Sequence, residues 1–280
     1  MRIDAHQHFW RYRPETHGWI SEAMAVLKRD YLPRDLEPLL RGQGFDGCVA
    51  VQAAQTIEET RFLLELAERH PFVRAVVGYV DLASPDLERQ LDELVRHPRF
   101  RGVRHIAQDE PDERWLARPD VVHGIGALRR HGLSYDILVY ARQLPAAVEL
   151  VRQLPDQPFV LDHLGKPEVR SGRLEPWRGE LRRLATHGNV ACKLSGLVTE
   201  ADWDGWTTAD VRPYLEAALE AFGPGRLMIG SDWPVCLLAG DYARVIGLAT
   251  DFVASLSADE QAAILGTNAR RFYGIPGGAS

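Results

Sequence analysis

A single-domain (β/α)8 TIM barrel over residues 1–280 is the fold this sequence predicts, and three observations predict it. Short apolar runs rich in β-formers recur along the chain. Segments of helical period separate them. Strand starts follow one another about every 25 to 45 residues, the spacing of βα units in a parallel barrel. No linker, low-complexity tract or step in composition divides the chain, and no Gly-x-Gly-x-x-Gly or Gly-Lys-Ser/Thr follows a strand. A doubly wound nucleotide-binding sheet therefore lacks its usual signature.

The strands are read in order as "RIDAHQHF", "GCVAVQA", "VRAVVGYVDL", "FRGVRHIAQ", "LSYDILVY", "PFVLDHLG", "VACKLSGL" and "RLMIGSDWPV". Parallel strands covered on both faces read as apolar runs rather than clean alternations, and most of these do. Between them, "IEETRFLLELAERH" sets Phe62, Leu63, Leu66 and Ala67 on one helical face. "SPDLERQLDELVRHP" predicts a helix with Ser84 as N-cap and Pro85 at its first position. "ARQLPAAVELVRQLP", "LEPWRGELRRLATHG" and "DVRPYLEAALEAFGP" follow, the last two expected to close on glycine.

Composition narrows the function classes. Hydrophobic residues make up 45% and charged residues 26% of the chain, as in a globular protein, and the formal net charge is −6. The arginines are scattered along helical segments and form no basic stripe, so nucleic acid is excluded as a partner. No apolar run approaches the length of a membrane span. The N-terminus opens on a strand rather than a signal-type segment, and Cys48, Cys192 and Cys236 are odd in number with no CxxC spacing. Both features point to buried thiols and a cytoplasmic protein, and a barrel of this size is expected as a monomer or homodimer.

Polar residues collect where a barrel places its chemistry, at the C-terminal strand ends. Strand one ends with Asp4, His6, Gln7 and His8; strand two brings Gln52 and Gln55, and strand three Tyr79 and Asp81. The fourth brings Arg104, His105 and Gln108, the fifth Tyr135, Asp136 and Tyr140, and the sixth Asp162, His163 and Lys166. The last two bring Lys193 and Ser195, then Ser231 and Asp232. Side chains at i and i+2 leave one face of a strand, so His6 and His8 point in one direction. His6, His8, His163 and Asp232 are donors of the type that binds zinc or a similar divalent ion. Such an ion polarises a carbonyl, and Asp232 is the natural acceptor of the proton of an attacking water. No nucleophile elbow is present, so acyl-enzyme chemistry is disfavoured.

The motifs "DAHQHFW", "FRGVRHIAQDEPD", "LDHLGKP", "CKLSGL" and "GSDWPV", with "LGTNARRFYGI" at the end, resemble the amidohydrolase superfamily. More narrowly, they resemble the sugar-lactonase branch of amidohydrolase family 2. That branch includes L-fucono- and L-rhamnonolactonases, with pyrone-dicarboxylate and sulfomuconolactone hydrolases as relatives. The resemblance implies a (β/α)8 barrel and hydrolysis of a lactone. It implies His6 and His8 as the strand-one pair, His163 after strand six and Asp232 as base, with Arg104, His105, Lys193 and Trp233 near the pocket. His163 and His105 thus join Asp232 as catalytic candidates. Binuclear relatives carry a carboxylated lysine on strand four, and "FRGVRHIAQ" has none. One divalent ion is the expectation; without it, His6, His8 and His163 become donors to the carbonyl oxygen.

A sugar lactone asks for paired donors and acceptors, which Gln52, Gln55, Asp81, Tyr140, Arg104 and His105 supply. Trp203 and Trp206 offer an apolar wall. A dicarboxylate lactone asks instead for converging cations, for which Arg104, Lys166 and Lys193 are candidates opposed by nearby carboxylates. The expected reaction is therefore hydrolysis of a small-molecule aldonolactone. A dicarboxylate-lactone hydrolase and an amidohydrolase-type decarboxylase are the alternatives.

Overall fold

The structure, a computed structural model, describes residues 1–277. Its strands are β1 (Ile3–Gln7), β2 (Gly47–Val51), β3 (Val73–Gly78), β4 (Phe100–His105), β5 (Ser134–Ile137), β6 (Phe159–Leu161), β7 (Val190–Leu194) and β8 (Leu227–Ile229). They form one eight-stranded sheet in sequence order, every neighbouring pair parallel. The ends meet through a parallel bridge from Gln7 to Trp233, with His8 N donating to Trp233 O at 2.7 Å and Asp232 N to His6 O at 2.8 Å. The predicted barrel is the observed one.

Each strand is followed by a helix that covers it. These are α1 (Pro33–Gly42), α2 (Ile57–Arg69), α3 (Leu87–Leu94), α4 (Pro119–Leu128), α5 (Leu144–Gln153), α6 (Trp177–Ala185), α7 (Thr208–Phe222) and α8 (Tyr242–Val253). Two short helices, α9 (Ala258–Ala262) and α10 (Asn268–Phe272), end the fold. No helix among the described residues is long and apolar enough to cross a membrane.

Two apolar clusters follow from the strand period of two. Ile3, Ala5, Val49, Val51, Ala75, Val77, Val160 and Met228 come from strands all around the barrel and pack together with Tyr273, so they fill its interior. The alternate set, including Cys48, Ala50 and Val76, packs with the helices. The register of β1 against β2 shifts between Asp4 and Gln7. Asp4 is turned toward Ser231 and Tyr242, whose Oγ and phenol donate to its Oδ2 at 2.6 and 3.1 Å.

Two helix boundaries differ from expectation. α3 begins at Leu87, because Ser84 forms the preceding turn and its Oγ accepts from Asp86 N at 3.1 Å. α6 ends at Ala185, before Gly188, whereas α7 does close on glycine, with Gly223 at φ +66°. The cysteines Cys48, Cys192 and Cys236 are free and buried.

Candidate active site

At the C-terminal end of the barrel a cavity of about 310 Å³ opens. Asp232, His8 and His163 line its floor. Asp232 follows β8 in the left-handed region, at φ +57°, an uncommon position for a residue other than glycine. Its Oδ1 lies 3.2 Å from His8 Nε2, 3.7 Å from His163 Nε2 and 3.8 Å from His6 Nε2. Three imidazoles thus aim the same ring nitrogen at one carboxylate oxygen.

The far side of each ring fixes its orientation. His8 Nδ1 donates to Val51 O at 2.8 Å, which turns Nε2 toward Asp232. His163 Nδ1 faces Ser195 Oγ at 2.9 Å. His6 Nδ1 sits 3.3 Å from Asp162 Oδ1, and its Nε2 accepts from Arg104 Nη1 at 3.3 Å. Burial holds the His6 pKa well below its ordinary value, helped by the Lys193 charge. Burial does the same to His163, against the opposing pull of Asp232. Both rings are therefore neutral near pH 7. Burial pushes the Asp232 carboxyl up, but the polar and cationic groups that face it, His163, His8 and Lys166, outweigh burial and hold the group below its usual range. Asp232 is an ionised acceptor at neutral pH.

This donor set fits a divalent ion. The ligand atoms of His6, His8 and Asp232 all lie within 4.8 Å of one another, all three residues are buried, and two imidazoles with a carboxylate are the donor types such an ion takes. His163, expected as a fourth ligand, stands outside that compact set.

His163 belongs to an unusual turn. His163, Leu164, Gly165 and Lys166 are consecutive left-handed residues with φ of 52°, 54°, 70° and 46°. Strain of this kind persists only where surroundings fix it. Lys166 N bonds His163 O at 2.8 Å, and the buried Trp177 donates its indole N–H to Leu164 O at 2.7 Å. The turn presents both His163 and Lys166 to the cavity.

Beneath the floor lies a buried ion cluster. Lys193 Nζ bonds Asp136 Oδ2 at 2.6 Å and forms an ion pair with Asp162 Oδ1 at 2.9 Å, and Tyr273 donates to Asp136 Oδ2 at 2.7 Å. Arg104 Nη1 bonds Asp162 Oδ2 at 3.1 Å, and its Nη2 bonds Gln52 O. Burial raises Asp136 despite Lys193, whereas Lys193 and Arg104 together overcome burial and lower Asp162.

Residues 3–275 match the amidohydrolase family model. This chain belongs to the amidohydrolase family. It is similar to an L-fucono-1,5-lactonase of Burkholderia multivorans, with 46% identity over 99% of this chain and 97% of that protein. An L-fucono-1,5-lactonase of Burkholderia ambifaria is 43% identical over 98% of this chain and 96% of its own. A crystal structure of an amidohydrolase from Burkholderia multivorans with bound zinc superimposes with a TM-score of 0.95, at 45% identity, covering 99% of this chain and 100% of that one.

Within this amidohydrolase the expected site residues divide. Asp232, His8, His163, Arg104 and Tyr140 line the cavity, and His6 lies directly behind it. Five others do not line it, and each has a partner that explains why. Lys193 is fully buried in the ion cluster below the floor. Gln52 donates to Arg104 O at 3.1 Å. Trp233 packs edge-on against Tyr31 and Phe9. Asp81 is exposed and caps Ala83 N at 3.0 Å. His105 stacks on Trp115 at 3.9 Å and bonds Glu110 at 2.6 Å. Sequence reasoning missed Trp19, Met24, Asp109 and Glu200, all of which line the cavity. Trp19 and Met24 sit in the long connection from β1 to α1, whose length is itself a signal of function.

Proposed function

We propose that this amidohydrolase hydrolyses a sugar lactone to the sugar acid by water attack on the lactone carbonyl, with Asp232 as general base. The observation that carries this reading is the convergence of three imidazoles on Asp232 Oδ1 in the cavity floor. The names of its relatives support the substrate class.

Asp232 takes a proton from water as the hydroxyl adds to the carbonyl carbon. With the Ser195 hydroxyl donating to Nδ1, His163 carries its own proton on Nε2 and offers it to the developing oxyanion. As the ring C–O bond breaks, Asp232 returns its proton to the ring oxygen, and the product acid then ionises. His6, His8 and Asp232 are the residues that would hold a divalent ion, zinc as in the structural relative, which supplies carbonyl polarisation and a more acidic water.

A dicarboxylate lactone fits less well. Arg104 is committed to Asp162 and Gln52, Lys166 is paired with Glu200, and Asp109 and Glu200 add negative charge to the cavity. A neutral, hydroxylated lactone suits these walls better. Buried free thiols suit a reducing compartment, which we take to be the cytoplasm. A pH-indicator assay against a panel of aldonolactones, with and without chelator, tests the reading. Turnover of one of them is the expected result, whereas carbon dioxide release or turnover confined to dicarboxylate lactones contradicts it.

A further inference from the structure

Lys166 and Glu200 face each other across the cavity wall, and the reaction outlined above does not use them. Lys166 Nζ lies 3.5 Å from Glu200 Oε1, with side-chain exposures of 15% and 21%. That separation is an ion pair, yet longer than an ordinary N–H···O bond. An ammonium carries three donors and a carboxylate about four acceptor sites, so each group keeps unused capacity toward the cavity. A half-buried charge with unused capacity is costly unless something polar comes to meet it.

Both groups are held in place. Lys166 ends the left-handed turn that also carries His163, and its Nζ sits 5.3 Å over the Tyr140 ring. Glu200 ends a short turn after β7 in which Thr199 Oγ1 donates to Gly196 O at 2.8 Å. Trp203 donates its indole N–H to Thr199 O at 2.9 Å and lines the cavity beside Glu200. A fixed donor, a fixed acceptor and an aromatic face together match the chemistry of a hydroxylated ring.

We propose that Lys166 and Glu200 form a donor–acceptor clamp for a pair of neighbouring hydroxyls on the substrate ring, and so determine selectivity for hydroxylated over bare lactones. Lys166 donates to one hydroxyl oxygen, and Glu200 accepts from the O–H of its neighbour. The inference rests on the lactonase reading. It makes these specificity residues, distinct from the acid–base chemistry of Asp232 and His163.

The test compares kcat/KM for L-fucono-1,5-lactone with that for δ-valerolactone, which carries the ester and no hydroxyls, in wild type, Glu200→Gln and Lys166→Met. The expected result is a selectivity ratio that falls by about 10- to 100-fold in each variant, with most of the loss in KM. Equal losses on both lactones, or no loss on either, overturn the clamp while leaving the lactonase intact. If the wild type turns over no aldonolactone of the panel, the reaction assignment fails and this inference with it; if another aldonolactone is the one turned over, it takes the place of L-fucono-1,5-lactone in the ratio. The double variant Lys166→Met/Glu200→Gln leaves no unpaired charge behind, so a ratio that stays wild-type there also refutes the clamp should a single variant fold poorly.

Discussion

The substitution Gly196→Ala perturbs the site without removing any catalytic group. Gly196 lies just beyond β7 at φ +64°, and a methyl group built on it would sit 2.3 Å from His163 Nδ1 and 2.5 Å from Cγ. Ordinary van der Waals contact begins at 3.4 Å, so the His163 ring must move by about 1.1 Å or the loop must shift by as much. The ring is held on one side by Ser195 Oγ at 2.9 Å and faces Asp232 on the other, and it stands on a strained turn with little room to adapt. A displacement of about 1 Å at a catalytic group costs roughly 10²-fold in rate. The left-handed alanine adds about 1 to 2 kcal/mol of strain and the overpacking about 1 to 3 kcal/mol. Thermal melting followed by circular dichroism should therefore show Tm lowered by about 3 to 9 °C. A lactone-hydrolysis assay below the transition should show kcat down by about 10²-fold. A variant with wild-type Tm and wild-type kcat would refute the placement of His163 against Gly196.

Asp232→Asn removes the proton acceptor and should lower kcat by about 10² to 10⁴-fold while the protein stays folded, as steady-state kinetics would show. Lys193→Met leaves Asp136 and Asp162 buried without their shared cation, and urea denaturation should register a loss of about 3 to 5 kcal/mol. Glu59 lies buried in the first turn of α2, accepting from Ala53 N in the loop after β2, and burial raises its pKa from 4.5 to about 7. Between those values the folded state keeps a proton that the unfolded chain has released, so this group's contribution to stability falls as pH rises through the window, by up to about 3 kcal/mol. Urea midpoints at pH 5 and pH 8 should show a smaller pH dependence in Glu59→Gln than in wild type, and equal dependence would count against it.

The barrel was legible because burial on both faces forces parallel strands into apolar runs, and even the three-residue β6 and β8 lie inside such runs. The His6–His8 pair was legible for a related reason: period two sends both side chains one way, and "GSDW" marks the opposite closing strand. What the sequence did not disclose is which strand-end polar groups face the cavity and which pair with one another below it. Lys193 and Arg104 illustrate the difficulty. Each is a cation on a strand, yet Lys193 is consumed by Asp136 and Asp162, while Arg104 reaches the cavity and also holds Asp162. Those pairings depend on register and on residues far away in sequence. Glu200 and Asp109 escaped notice because they lie on short turns beyond the strands, where periodicity carries no information.

The central claim, water attack at a lactone carbonyl assisted by Asp232, is tested most directly by running the reaction in oxygen-18 water and analysing the product by mass spectrometry. One labelled oxygen in the new carboxylate, with the ring hydroxyl unlabelled and the signal lost in Asp232→Asn, is the predicted result. Label in the hydroxyl instead of the carboxylate, or undiminished turnover in the variant, would contradict it.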